Sequence, residues 1–464
     1  MVRRAIDGRR RAILRAVAAG FVGSGRSTTR SRSTVDRGDR PMTGPAADPP
    51  QAEFLVHGGE GTTVLSRRGE AETMFRGPAG TALQRAVDAG EAAGTGALIA
   101  VSSGTYELER PVTLASSTWL AGSGVATTLR AGDGLDAPLL TVPAGAEHGR
   151  VSDLRLEGNG AGNDRGDGLV VVGGAWRPVF EHLVVRGTDG HGIRFTDGPD
   201  GAYVYEPVLS DVDVARCAGD GFVFGYTGDL FGVNLYAEAC EGYGFTLADA
   251  GGTLVHPHAY DTRGEAGIRV LESGKDLTLF GAHTERNRQH GLLVEGERIT
   301  IRNAFVANNS RDAPDAYSGL VLDGARDSMV SESAFLNDTE QGRTQRHGVV
   351  ETAASRENVV SGNLFRENAS SAVKRPSNST GTQYRNNRGY QTANGGEATV
   401  RDGDPIPHGL NERPQQYWVE STSSGTYAHV VDVNDVALIV EVLRAGTGDS
   451  LGRPVDVTWG AIAR

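Results

Sequence analysis

Lysine is almost missing from this chain. Only Lys275 and Lys374 occur in 464 residues, so 44 of the 46 basic side chains are arginine. Cysteine is confined to Cys217 and Cys240, too few for a disulfide-stapled scaffold. Aromatic residues make up only 6%. No apolar run approaches the ~18 residues that a membrane-spanning helix needs, so no membrane span is expected. Glycine moves the other way: 65 residues are about twice the usual share. Few aromatics and many glycines favour a turn-dense fold of short strands over a helical bundle.

Basic charge is scarce beyond the start. Residues 1–49 hold eleven arginines against four aspartates, a surplus of seven; the whole chain is at −12, so residues 50–464 carry −19. An acidic body argues against nucleic acid as a partner, because that binding needs a basic stripe. The arginine bias fits a GC-rich genome. Together with the acidic body it resembles haloarchaeal proteins, with GC-rich bacteria as the alternative source. At the start, "RRRAILRAVAAGFVGSG" places Arg9, Arg10 and Arg11 before a short, weakly apolar stretch. Residues 1–25 thus resemble a twin-arginine export signal, with a disordered basic tail as the alternative. Residues 26–50 are polar and rich in breakers, which reads as a flexible linker. Export implies a secreted or cell-surface protein.

The phrases "VARCAGDGF" and "AEACEGYGF" end at Phe222 and Phe245, and they belong to a longer repeat. Short apolar runs follow Gly168, Gly192, Gly221, Gly244, Gly267, Gly291, Gly319 and Gly348. The first and third residues after each glycine are apolar until Glu351, while the second varies. That is the period of a strand with one buried face. A second strand precedes each glycine, as in "VSDLRLEGN" and "ITIRNAFVANN". Several short strands per ~26 residues, with no helical pattern between, indicate a solenoid whose units bury their apolar faces by stacking.

These residues resemble the right-handed parallel β-helix of the pectate-lyase-like superfamily over roughly residues 75–390. The stretch "AGTALQRAVDAGEAAGTGALIAVSSGTYELERPVTLASSTWLAGSG" is similar to that superfamily's opening, in which a short helix (here Thr81 to Ala92) caps the apolar end. The expected fold is therefore all-β: a single-stranded right-handed parallel β-helix over residues 101–396. An N-terminal strand and capping-helix region would fill 51–100. Residues 397–464 form a small C-terminal β module similar to those on tail-fibre-type proteins, where such modules serve trimerisation or glycan contact.

The repeat arranges side chains in columns. His191, His290 and His347 each precede an anchor glycine. His191 and His290 lie four coils apart, ~19 Å at ~4.8 Å per coil, which excludes a shared metal. Thr188, Cys217, Cys240, Arg263 and Asn287 stand four residues before a glycine and form a turn column, where the resemblance implies stacking. Six residues before stand Ala215, Glu238, Asp261 and Glu285, an outward row of three carboxylates on consecutive coils. Neighbouring charges at that spacing would repel by ~3.5 kcal/mol at an effective dielectric of ~20. Arg263 and Arg286, a bound Ca²⁺ or a protonated carboxyl would relieve them. Glu238 and Asp261 fall near the ~5 Å separation of retaining glycosidases, whereas Glu238 and Glu285 fall nearer the inverting range. The resemblance adds a third chemistry: Ca²⁺ acidifies a uronate and an arginine removes its proton. Tyr236 and His283 lie beside this row, as does "VHPHAYDTR", in which His258 and Tyr260 are expected to face inward.

The motifs of polygalacturonase-type hydrolases are absent apart from Gly190-His191-Gly192, and no W-x-D-H occurs. The fold thus implies a polysaccharide partner more firmly than a reaction. The leading expectation is an enzyme, lyase or glycoside hydrolase, acting on an acidic or surface polysaccharide. Its catalytic candidates are Glu238, Asp261, Glu285 and Arg263, with Tyr236, His258, His283 and Arg286 binding substrate. Ca²⁺ is the one cofactor these residues would accommodate. The alternatives are a non-catalytic adhesin or virus-tail-like receptor binder, trimeric through its C-terminal module, and a structural stalk. Replacing Arg10 and Arg11 by lysine is expected to hold the protein in the cytoplasm, checked by fractionation and immunoblotting. Undiminished secretion would identify the basic start as a tail.

Overall fold

The computed structural model describes residues 52–463 apart from 60–61, 69–72, 95, 339, 341 and 377–380. The expected export signal and linker therefore lie outside the described residues.

Each apolar-x-apolar triplet becomes a short strand with alternate side chains turned inward. Three such strands per coil build three parallel sheets. The first runs from Phe54–Gly59 through Leu98–Val101 to Gln383–Arg385, the second from Gly104–Leu108 to Leu364–Arg366, and the third from Val112–Thr113 to Ser371–Lys374. The result is a parallel β-solenoid of about 11 turns. In the third sheet the anchor runs stack residue on residue: Ile193, Phe222, Phe245, Ile268, Leu292, Leu320, Val349 and Val373. The rings of Phe222 and Phe245 lie 4.8 Å apart and 7° from parallel, the coil spacing expressed in side chains.

Both ends of this core are closed. The helix Ala79–Ala92 buries Ala82, Leu83, Ala86 and Val87, an apolar stripe at helical spacing. Its cap residue is Pro78, which offers no side-chain acceptor. Instead Glu109 reaches over from the first coil, and the N–H groups of Gly80 and Thr81 donate to its carboxylate at 2.9 and 2.8 Å. Burial would raise the Glu109 pKa, but these bonds and that from the Thr81 hydroxyl outweigh it and hold it below the ordinary value. At the other end Glu351, the residue that breaks the apolar pattern, is 3% exposed. Tyr384 and Thr382 donate to its carboxylate, and Arg375 and Tyr390 close on Glu412 beside it. This polar plug joins the last coils to the C-terminal module. There the strands Ala393–Val400, Val455–Ile462 and Gln416–Ser421 form one antiparallel sheet. Pro405–Pro407, Ala437–Arg444 and Thr426–Val433 form a second, and the two enclose their own core around Val419, Leu438, Val440 and Trp459.

The turn after the second sheet carries a ladder along the solenoid. It contains Thr188, Cys217, Cys240, Thr262, Asn287, Asn309, Gln345 and Asn368. The residue after each early rung donates its N–H to the carbonyl of the rung one coil earlier: Ala218 to Thr188, Glu241 to Cys217, Arg263 to Cys240 and Arg288 to Thr262. Arg263 therefore does not enter the ladder as expected; Thr262 does. From Thr262 to Ile268 the chain takes one residue more than from Cys240 to Phe245 or Asn287 to Leu292, so counting back from Gly267 slips by one. Cys217 and Cys240 stack as free, buried thiols. Their shared hydrogen bond, with burial, pushes the Cys240 thiol above its ordinary range. Further along, Asn287 Nδ2 donates to Asn309 Oδ1 at 3.0 Å, Asn309 Nδ2 to Gln345 Oε1 at 3.1 Å, and Gln345 Nε2 to Asn368 Oδ1 at 2.9 Å.

Asn309→Ala would strand the Asn287 backbone N–H and the Gln345 side-chain carbonyl inside the protein. It is expected to cost about 2–4 kcal/mol, read from the urea midpoint. Gln383→Ala, at an exposed position, should stay within about 0.5 kcal/mol of the wild type.

Candidate active site

The second sheet presents the most chemically loaded outward face. Three triplets stack there: Tyr236-Ala237-Glu238, His258-Ala259-Tyr260 and His283-Thr284-Glu285. The small middle residues Ala237, Ala259 and Thr284 point into the core and are fully buried. Their neighbours therefore point outward. His258 and Tyr260, expected inward, belong to this outer face, because the longer turn after Thr262 had shifted the count.

One row then reads Asp213, Tyr236, His258, His283 and Phe305 on successive coils. The imidazoles of His258 and His283 stack 4.1 Å apart and 5° from parallel. Tyr236 meets His258 edge-on at 4.7 Å, and Phe305 meets His283 edge-on at 4.8 Å. The second row reads Ala215, Glu238, Tyr260, Glu285 and Ala307. Asp261 is absent from it. It occupies the next, left-handed position (φ 50°), level with Ala239 and Arg286. The expected run of three adjacent carboxylates is thus broken by Tyr260. Glu238 and Glu285 stand two coils apart, about 10 Å at ~4.8 Å per coil.

Arginines line the turn beside these rows. Arg286 reaches Glu285 Oε1 at 3.3 Å and donates to the Tyr260 hydroxyl at 3.1 Å. Arg288 holds Asp261 at 3.1 Å. Arg263 pairs instead with Glu241 at 2.8 Å on the outer rim of the turn, away from the two rows. Sequence reasoning missed Arg288 and Phe305. The shared pattern of a small residue between two functional ones (YAE, HAY, HTE) was the signal that aligns all three coils without counting from a glycine.

The electrostatics sort the titratable groups. His283 lies 3.3 Å from Glu285, and this contact, followed by Arg286, holds the Glu285 carboxyl below the usual range although half-burial opposes the shift. Burial raises the Tyr236 phenol well above its ordinary pKa, and the nearby charges of Glu238 and Asp213 add to the rise. At neutral pH this face therefore offers a protonated phenol and an ionised Glu285, beside two stacked imidazoles and the arginine guanidinium groups.

A bound Ca²⁺ was one of three ways to relieve a row of three carboxylates, and that row is not assembled. Among the described residues no group of three or more His, Cys, Asp or Glu side chains is disposed to hold a metal. The turn histidines are structural acceptors. His191 Nδ1 takes the Asp220 N–H and His290 Nδ1 the Ser318 N–H, both at 2.9 Å. Burial lowers the His290 pKa, which keeps that nitrogen free to accept. A cleft of about 830 Å³ lies far from these rows at the joint with the C-terminal module. Its Arg375 and Glu412 are already committed to each other, at 2.8 Å.

The family described as "Right handed beta helix region" matches residues 258–404. No curated protein matches the chain. Among solved structures, the A-module of mannuronan C-5 epimerase AlgE6 from Azotobacter vinelandii superposes with a TM-score of 0.56 at 21% identity, covering 67% of this chain and 91% of that one. Tailspike protein 2 of an Escherichia coli O157:H7 bacteriophage gives 0.57 at 12% identity, covering 89% and 66%. Tailspike protein gp49 of Pseudomonas phage LKA1 gives 0.51 at 11% identity, covering 82% and 92%. At these identities the likeness is one of fold, and it agrees with the sheets: the chain is an all-β protein built as a right-handed parallel β-helix.

Proposed function

We propose that the outward face of the second sheet binds an acidic polysaccharide and moves a proton on one of its uronate rings, as a lyase or an epimerase does. The observation that carries this reading is the stack of Tyr236, His258 and His283 on consecutive coils, with Arg286 and Arg288 at its edge. A proton on the carbon next to a carboxylate leaves only if the resulting charge is held. The guanidinium groups supply that charge, and an imidazole is the base. The C–H electron pair moves into the carboxyl group as an enediolate. If the bond to the neighbouring sugar oxygen then breaks, Tyr236 gives its proton to the leaving oxygen, and the product is an unsaturated uronate. If a proton from solvent instead returns to the carbon from the opposite face, the product is the epimer.

Hydrolysis fits less well. It needs one carboxyl kept protonated opposite a second, ionised one. Glu285 is pulled toward the ionised form, and Tyr260 stands between it and Glu238. The mannuronan named for the similar epimerase module supports an acidic substrate, and a secreted or cell-surface setting is where such a substrate is met.

The test is turnover in D₂O on alginate and polygalacturonate, followed by ultraviolet absorbance for unsaturated uronate and by NMR for deuterium at C5. Wild type should yield one of the two signals. His283→Ala and Tyr236→Phe should lower it at least ~100-fold with unchanged circular dichroism. New reducing ends with neither signal would mean hydrolysis, and no change in either polysaccharide would leave a binding protein.

The lowered pKa of Glu285 has its own signature. Its stabilisation is complete above the ordinary carboxylate range near ~4.3 and is lost as pH falls through the lower folded value. The stability gap between wild type and Glu285→Gln should therefore close in acid, measured by urea unfolding across pH.

A further inference from the structure

The C-terminal module carries an aromatic surface that the solenoid face does not explain. Trp418 is 50% exposed, on the outer side of the sheet formed by Gln416–Ser421, Val455–Ile462 and Ala393–Val400. Alternation turns Val419, Val457, Trp459 and Ala461 into the module's core and leaves Trp418, Gly460 and Gly395 in one outward row. The indole lies flat across Gly460. A Cβ added there would sit 2.0 Å from Trp418 Cζ2 and 2.1 Å from Cη2. Gly460 is not among the residues with positive φ, so backbone conformation does not demand a glycine; the ring above it does. One face of the indole is thus sealed by backbone and the other is open. The next row holds Glu420, Thr458 and Glu397, all polar.

We propose that Trp418 is the platform of a second glycan site, separate from the second-sheet face, that takes neutral pyranose residues. A ring laid flat with one open π-face suits the C–H face of a sugar. Carboxylates one row away accept hydrogen bonds from its hydroxyls, and such charge-assisted bonds are the stronger kind. The same carboxylates repel a polyanion, so this site and the uronate-binding face select different sugars. A second copy of the chain is a poorer occupant. A stable protein interface covers roughly 800 Å² on each partner around an apolar centre, whereas the outward row next to Trp418 is polar, with Glu420, Thr458 and Glu397.

The test is affinity electrophoresis of the full chain in gels containing laminarin, galactomannan, xylan or dextran, with alginate as the acidic comparison. Wild type should be retarded by at least one neutral polysaccharide. Trp418→Ala should weaken that retardation at least tenfold, with unchanged mass by light scattering. Gly460→Ala, which keeps the indole but lifts it from its floor, should weaken it too. The proposal fails if none of the neutral polysaccharides retards the wild type, or if Trp418→Ala is retarded equally. It also fails if loss of retardation comes with a change in mass, which would make the indole a contact between copies. None of these outcomes depends on whether the second-sheet face turns over uronates.

Discussion

Each coil of this protein leaves backbone groups at its corners that only the next coil can satisfy. The strands pair in parallel, and so their N–H and C=O groups find partners one coil away. The corners need the same service, and side chains provide it. Asp167 accepts the His191 N–H, His191 accepts the Asp220 N–H, and Asp220 accepts the Tyr243 N–H. At another corner Ser333 donates its N–H to Asn363, which in turn donates to Asn387. A buried corner group left without a partner costs on the order of 1–3 kcal/mol, so register is enforced at every turn.

That enforcement is what sets out the chemically loaded face without a pocket or a long loop. With the small residues Ala237, Ala259 and Thr284 fixed inward, their neighbours have one direction left. The imidazoles of His258 and His283 are held in contact by the coil spacing itself. Preorganisation of this kind is what acid–base chemistry requires, since reacting groups must already stand in place. The ladder residue Thr262 and the candidate-site residue Tyr260 are two positions apart on one chain, so the scaffold and the candidate site share a frame.

Much of the fold was legible because burial writes a period into the sequence. The glycine-led apolar runs, the capping helix and the end of the repeat near its last coils all follow from which faces must be hidden. The site was less legible, and one residue was the reason. Turn length is not periodic: the turn from Thr262 to Ile268 gains a residue on the surface without disturbing any buried contact, so hydrophobicity carries no record of it. Counting from Gly267 therefore placed Asp261 where Tyr260 stands and Arg263 where Thr262 stands. Glu238, Glu285, Tyr236, His283 and Arg286 lay in coils of ordinary turn length, and their outward placement could be read directly. Glu351 was visible as an exception, but its partners Thr382 and Tyr384 lie about thirty residues on and only the folded chain brings them together.

The closed ends of the solenoid also set its length. A parallel coil has an upper and a lower edge, and each edge is a ready template for another strand. The helix Ala79–Ala92 and the strand Phe54–Gly59, itself paired with Thr62–Arg67, cover one edge of the stack. The plug formed by Glu351, Tyr384, Arg375 and Glu412 ties the other to the C-terminal module. At both ends of the described coils, the edges that another strand would extend are thereby occupied.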